Sequence, residues 1–120
     1  MFELQAEQTE SVLVIKVTGK IRAEDYFDFM PELNERIAET NPKGVLVDSA
    51  EFEGWQDEEA RSIGFFSRTQ YRSKFERVAV LADADWTSEV QDLQDETNLP
   101  VRQFPVSDRQ QALDWLTSPD

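Results

Sequence analysis

Three short apolar runs, separated by segments of helical periodicity, limit the folds open to this chain more than any other feature. Val12-Leu13-Val14-Ile15 with Val17, Val45-Leu46-Val47, and Val78-Ala79-Val80-Leu81-Ala82 are apolar at consecutive positions. A strand with one wet face alternates in polarity, so runs without alternation predict strands buried on both faces. Such strands need a layer on each side. The helical segments between them supply it, and right-handed crossovers then predict an α/β fold around a mostly parallel sheet.

The flanking segments complete the order. Phe2, Leu4 and Ala6 alternate with polar residues, the pattern of an edge strand that pairs as an antiparallel hairpin with the run ending at Thr18-Gly19. Ala23 to Thr40 carries a stripe of Tyr26, Phe27, Met30, Leu33, Ile37 and Ala38. Acidic Glu24 and Asp25 suit its N-terminus, and Pro31 predicts a kink or restart. A second helix is expected from Asp57 through Ala60, Ile63, Phe66, Ser67 and Tyr71. A third follows through Trp86, Val90 and Leu93, with Asp83 and Asp85 as cap candidates. Leu99 to Phe104, closed by Pro105, reads as a short strand near an edge. Ser107-Asp108 is expected to cap a last helix with Ala112, Leu113, Trp115 and Leu116. The expectation is a single domain over 1–117 with a tail at 118–120, five strands and four helices in the order β-β-α-β-α-β-α-β-α. A chain of 120 residues is long enough to bury one core.

Composition removes several functions. With no cysteine and no histidine, the chain has no disulfide, thiolate nucleophile, imidazole base or Cys/His zinc site. No cofactor and no enzymatic activity are expected. A net charge of −13 repels phosphate backbones and anionic membrane surfaces, so nucleic acid is not an expected partner. Only Lys16, Lys20, Lys43 and Lys74 are lysines, and an acidic surface poor in lysine also suits a saline habitat. No stretch reaches the roughly 20 apolar residues of a membrane span, and no basic, apolar leader opens the chain, so a cytoplasmic location is expected.

Function in a parallel sheet is placed beyond the carboxyl ends of its strands. The central run ends in Asp48 and Ser49, and a loop to Trp55 is expected to follow. Asp48, Ser49 and Trp55 are therefore binding candidates, against the simpler reading that Asp48 caps the strand. Asp48, Glu51, Glu53, Asp57 and Glu58 gather there too, but without the spacing of a calcium loop they read as a solvated acidic rim, and no metal is assigned.

The N-terminal hairpin, the helix opening Ala23-Glu24-Asp25-Tyr26, the strand Val45-Leu46-Val47-Asp48 leading into Phe52-Glu53-Gly54-Trp55, and Phe75-Glu76-Arg77-Val78-Ala79-Val80 together resemble the SpoIIAA-like family. That family is related to STAS domains and, at fold level, to CRAL-TRIO lipid-binding domains. The resemblance spans nearly the whole chain and implies a small α/β domain without catalysis. Anti-anti-sigma factors of the STAS class present a phosphorylatable Ser or Thr at the start of the helix after the central strand. This chain has Gln56-Asp57-Glu58-Glu59 there; Ser49 falls too early and Ser62 a turn too late. The resemblance therefore does not carry the phosphorylation cycle with it.

Two further features bear on binding. At about 100° per residue, Arg61, Phe65, Arg68 and Arg72 fall within about 60° of one another. Residues 57–77 hold Arg61, Arg68, Arg72, Lys74 and Arg77 against Asp57, Glu58, Glu59 and Glu76, a net positive segment in an acidic chain. Such a stripe suits an acidic partner, unless these arginines pair with nearby carboxylates. Phe52, Phe66, Tyr71 and Trp86 are the candidates for an apolar pocket, against ordinary core packing. The sequence thus points to a binding or regulatory module that contacts a protein partner, with a carrier or sensor of a small apolar ligand as the alternative.

Overall fold

The computed structural model describes residues 2–5, 12–40, 42–59, 75–83, 90–91, 94–95 and 99–117. Five strands form one sheet: β1 (Phe2–Gln5), β2 (Val12–Ile21), β3 (Gly44–Trp55), β4 (Arg77–Leu81) and β5 (Val101–Phe104), in the order β1-β2-β3-β4-β5. β1 runs antiparallel to β2, and the three remaining pairings are parallel, so the sheet is mixed. The three runs without alternation are the three interior strands. Among the described residues two helices are continuous, α1 (Ala23–Thr40) and α2 (Arg109–Thr117), against the four expected. The helix expected from Asp57 lies outside the described residues beyond Glu59. The one expected around Trp86 is described only at 90–91 and 94–95, which are helical.

Side-chain alternation divides the interior strands between two layers. Leu13, Ile15, Val17, Val45, Val78 and Val80 bury toward α1, where they meet Tyr26, Phe29, Leu33 and Ile37. Val12, Val14, Leu46, Ala79, Leu81 and Phe104 bury on the opposite side, under Ala112 and Leu116 of α2. With four parallel strands laid down in sequence order, right-handed crossovers all fall on one side of the sheet. Phe75, Val90 and Leu99, from the two later connections, accordingly join the α1 side. Among the described residues the second side is covered by α2.

α1 begins with an acid at its third position. The Asp25 carboxylate accepts a hydrogen bond from the Arg22 backbone N–H at 2.9 Å, and the Asp25 N–H donates to the Arg22 carbonyl at 3.0 Å. This satisfies groups that a helix start leaves open. The buried stripe is Tyr26, Phe29, Leu33 and Ile37 with Met30 half-buried. Phe27 and Ala38, expected on it, are exposed. Their positions explain the correction, since both lie about 100–120° around the helix from Tyr26. Pro31 does not end the helix, which runs through it. Proline withholds one backbone donor, and because Pro31 is on the outer face the loss falls where water reaches.

Two strand ends also differ from expectation. β2 does not stop at Thr18-Gly19 but continues to Ile21, and β3 does not give way to a loop after Ser49 but continues to Trp55. α2 is entered through a 3-10 turn, Val106–Asp108, with Pro105 rather than Ser107 or Asp108 at its start. The cap comes from the end of the neighbouring strand: the Val106 N–H donates to the Asp83 carboxylate at 2.9 Å. Asp83 was legible as a cap, but for the helix that follows it in sequence. Among the described residues no helix is long and apolar enough to cross a membrane.

Candidate functional site

β4 pairs with β3 only as far as Asp48, so beyond that point β2 and β3 extend as a two-stranded parallel ribbon past the carboxyl edge of the sheet. Its register shifts twice. Lys16 pairs with Asp48 but Thr18 with Glu51, and Gly19 pairs with Phe52 but Lys20 with Gly54, so β3 gains one residue at each shift. A one-residue insertion flips every later side chain to the other face. The first shift turns Phe52 to the α1 side although Leu46 and Asp48 point the other way, and the second does the same for Trp55. Gly54, at φ 109°, takes a conformation that side-chain-bearing residues rarely adopt.

The result is a closed aromatic corner. Phe52 and Trp55 meet edge to face at 5.0 Å between ring centres, and the indole N–H of Trp55 donates to the Tyr26 hydroxyl at 3.0 Å. Both rings pack against the core on the α1 side. Phe2, from β1, lies 5.0 Å from Tyr26 and 5.4 Å from Phe29. Phe52, read as a pocket residue, and Trp55, read as a binding residue, thus hold the ribbon to α1. The remaining pocket candidates, Phe66, Tyr71 and Trp86, lie outside the described residues, as do Arg61, Phe65, Arg68 and Arg72 of the stripe.

Asp48 faces α2 and both of its oxygens are engaged. One accepts from the Arg109 guanidinium at 3.0 Å and the other from the Ala50 backbone N–H at 3.1 Å. The carboxylate is 14% exposed. It ties the first residue of α2 to β3 and steadies the first register shift, as a strand-end cap would. Arg109, overlooked in the sequence, completes this pair. Beside it Lys16 bridges to Glu51 at 2.9 Å across the same shift. That hydrogen bond, reinforced by the Glu51, Asp48 and Glu3 charges, holds the Lys16 ammonium above its ordinary pKa of 10.5. Ser49 is half-buried next to the shift. Glu51, Glu53, Gln56, Asp57, Glu58 and Glu59 are exposed. Among the described residues no three carboxylates converge as a metal site.

At the other end of α2, Arg77 donates to the Trp115 carbonyl, and its guanidinium lies 5.4 Å from the centre of the Trp115 ring. A cation there answers both the open carbonyls and the negative end of the helix.

A sequence model of the SpoIIAA-like family matches residues 12–117. The chain belongs to the SpoIIAA-like family. No curated protein matches it significantly in sequence. Among solved structures, an uncharacterized protein from Shewanella loihica with a SpoIIAA-like fold superposes with a TM-score of 0.71 at 24% identity, over 97% of this chain and 92% of that one. The anti-sigma factor antagonist SpoIIAA in its unphosphorylated form superposes with a TM-score of 0.63 at 10% identity, over 92% of this chain and 94% of that one. The Bacillus cell fate determinant SpoIIAA in its phosphorylated form gives 0.58 at 10% identity, over 94% and 99%. At these identities the likeness is one of fold.

Proposed function

We propose that this chain is a non-enzymatic regulatory module, a single cytoplasmic domain that acts by contact with a protein partner. Its contact surface is the Arg61, Phe65, Arg68 and Arg72 stripe together with the exposed tip of the β2–β3 ribbon. The observation that carries this reading is the tip itself: Gln56, Asp57, Glu58 and Glu59 stand exposed where β3 ends, at the entrance to the segment bearing the arginines. Two of the similar folds are SpoIIAA proteins, one described as an anti-sigma factor antagonist, which supports a regulatory role. Asp48 leaves the binding set, because its oxygens are committed to Arg109 and Ala50. With carboxylates at 57–59 in place of a hydroxyl, binding at this position is not switched by a serine kinase.

The stripe is tested by reversing Arg68 and Arg72 to Glu in one variant. Immobilised wild-type protein is expected to retain its partner from a lysate of the source cells, less so as salt rises, and the reversed variant to lose it. Surface reversals away from caps and core usually shift stability by only about 0.5 kcal/mol, so an unchanged melting curve accompanies the loss. Retention of the same partner by the variant removes this surface from the proposal. A lipid found by mass spectrometry in the purified protein, with no retained partner, favours an apolar-ligand carrier instead.

A further inference from the structure

The helices are short of cations. On α1, Asp28, Glu32, Glu35 and Glu39 are exposed, and no described residue supplies a cation to any of them. Asp28 with Glu32, and Glu35 with Glu39, are like charges four residues apart, a spacing that destabilises a helix. Glu39 also stands in the last turn, at the negative end of the helix, where no basic residue offsets it. Elsewhere, carboxylates that a cation one helical turn away would suit are met by amides instead. Gln91 donates to Asp95 at 3.1 Å, and Gln110 to Asp114 at 3.0 Å. With 25 acidic and 12 basic residues, the chain cannot give every carboxylate a cation of its own.

This shortage bears on the fold because the inner side of α1 carries Tyr26, Phe29, Leu33 and Ile37 into the core. The helix has to stay formed for that layer to close, and repulsion along its outer side works against it. Side chains four apart on a helix are roughly 6 Å from one another. The Debye length is about 30 Å in 0.01 M salt and about 3 Å in 1 M salt, so dilute buffer leaves the repulsion standing and concentrated salt removes it.

We propose that the fold is set for concentrated salt: dissolved cations, as a diffuse atmosphere and not as a bound ion, supply the countercharge that the sequence withholds from α1. The chain works in a saline medium, and its stability rises with ionic strength. A protein that rests on exposed ion pairs behaves in the opposite way, because salt weakens them. Lys16–Glu51 and Arg22–Asp25 are pairs of that kind. Partly exposed pairs contribute little, so the repulsive set decides the sign. The proposal concerns the folded state alone and is independent of the contact surface above.

The full chain is melted by circular dichroism in NaCl from about 0.05 M to about 1 M, and in choline chloride at matched ionic strength. The midpoint is expected to rise by about 5 °C or more over this range, equally in the two salts. Glu32→Gln with Glu39→Gln breaks both like-charge pairs and removes the acid from the helix end, with little change in helix propensity. This variant is expected to melt higher than the wild type in dilute buffer and to gain less than about half as much from salt. The same two changes made at exposed Glu53 and Glu76, outside the helices, leave the salt dependence near that of the wild type. A midpoint that is flat or falls with salt overturns the proposal. So does a rise in NaCl that choline chloride does not reproduce, which means a bound sodium ion. An equal response of the two double variants also overturns it, because net charge and not the charges of α1 is then responsible.

Discussion

Asp48, readable from sequence either as a binding residue or as a strand-end cap, is tied in the structure to Arg109 and the Ala50 N–H. Its position at the carboxyl end of the central strand was legible from Val45-Leu46-Val47. Its partner was not, because Arg109 is 61 positions away and nothing in local pattern joins them. The pair is partly shielded, with Asp48 14% and Arg109 40% exposed in their side chains. Asp48→Ala is expected to destabilise by about 1–3 kcal/mol, since it removes acceptors from both Arg109 and the Ala50 N–H. Arg109→Ala leaves the Ala50 bond in place and is expected to cost about 1 kcal/mol or less, as a half-exposed ion pair contributes little. Urea unfolding of the two single variants and the double variant separates these terms. Equal costs for the two single variants would mean that the bond to Ala50 contributes nothing.

Among the elements, the strands were more legible than their ends. Runs such as Val12 to Ile15 announce themselves because burial on both faces leaves no room for a polar residue. The ribbon from Ser49 to Trp55 did not, because two register shifts break the period of two that identifies a strand, and Glu53-Gly54 has the composition of a turn. The glycines separate packing from conformation. A Cβ on Gly44 would stand 3.2 Å from the Leu116 side chain, so β3 lacks a side chain there because α2 lies against it. A Cβ on Gly54 would meet nothing within 4 Å, but φ is 109°. Gly44→Ala is expected to cost about 1–3 kcal/mol by overpacking and to be partly relieved by Leu116→Val, while Gly54→Ala costs about 1–3 kcal/mol from backbone strain alone. Thermal melts of Gly44→Ala with and without Leu116→Val decide this. If the second change brings further loss and no relief, close packing is not the reason for glycine at 44.

The order of the whole sheet makes its two faces unequal. Among the described residues α1, Phe75, Val90 and Leu99 lie on one side, and the other carries α2, a helix of nine residues. A helix that short is not stable alone in water, so it persists through its docking. Leu116 and Ala112 bury against the sheet. Arg109 and Arg77 hold its two ends and Asp83 caps its approach, the three polar ties coming from or reaching to β3 and β4. Sequence showed the apolar positions of this helix but not its side of the sheet, which follows from strand order and thus from contacts between distant segments. Removing it would uncover Val12, Val14, Leu46, Ala79, Leu81 and Phe104, a contiguous apolar patch drawn from four strands. A chain ending at Phe104 is therefore expected to bind a hydrophobic dye and to self-associate in sedimentation, because exposed apolar surface of that kind seeks another cover. Leu116→Ala, which keeps the helix and its polar ties, is expected instead to remain unassociated while losing about 2–5 kcal/mol of stability. Should the shortened chain stay monomeric, bind no dye and unfold at the same urea concentration as the full chain, α2 is not what closes the second face.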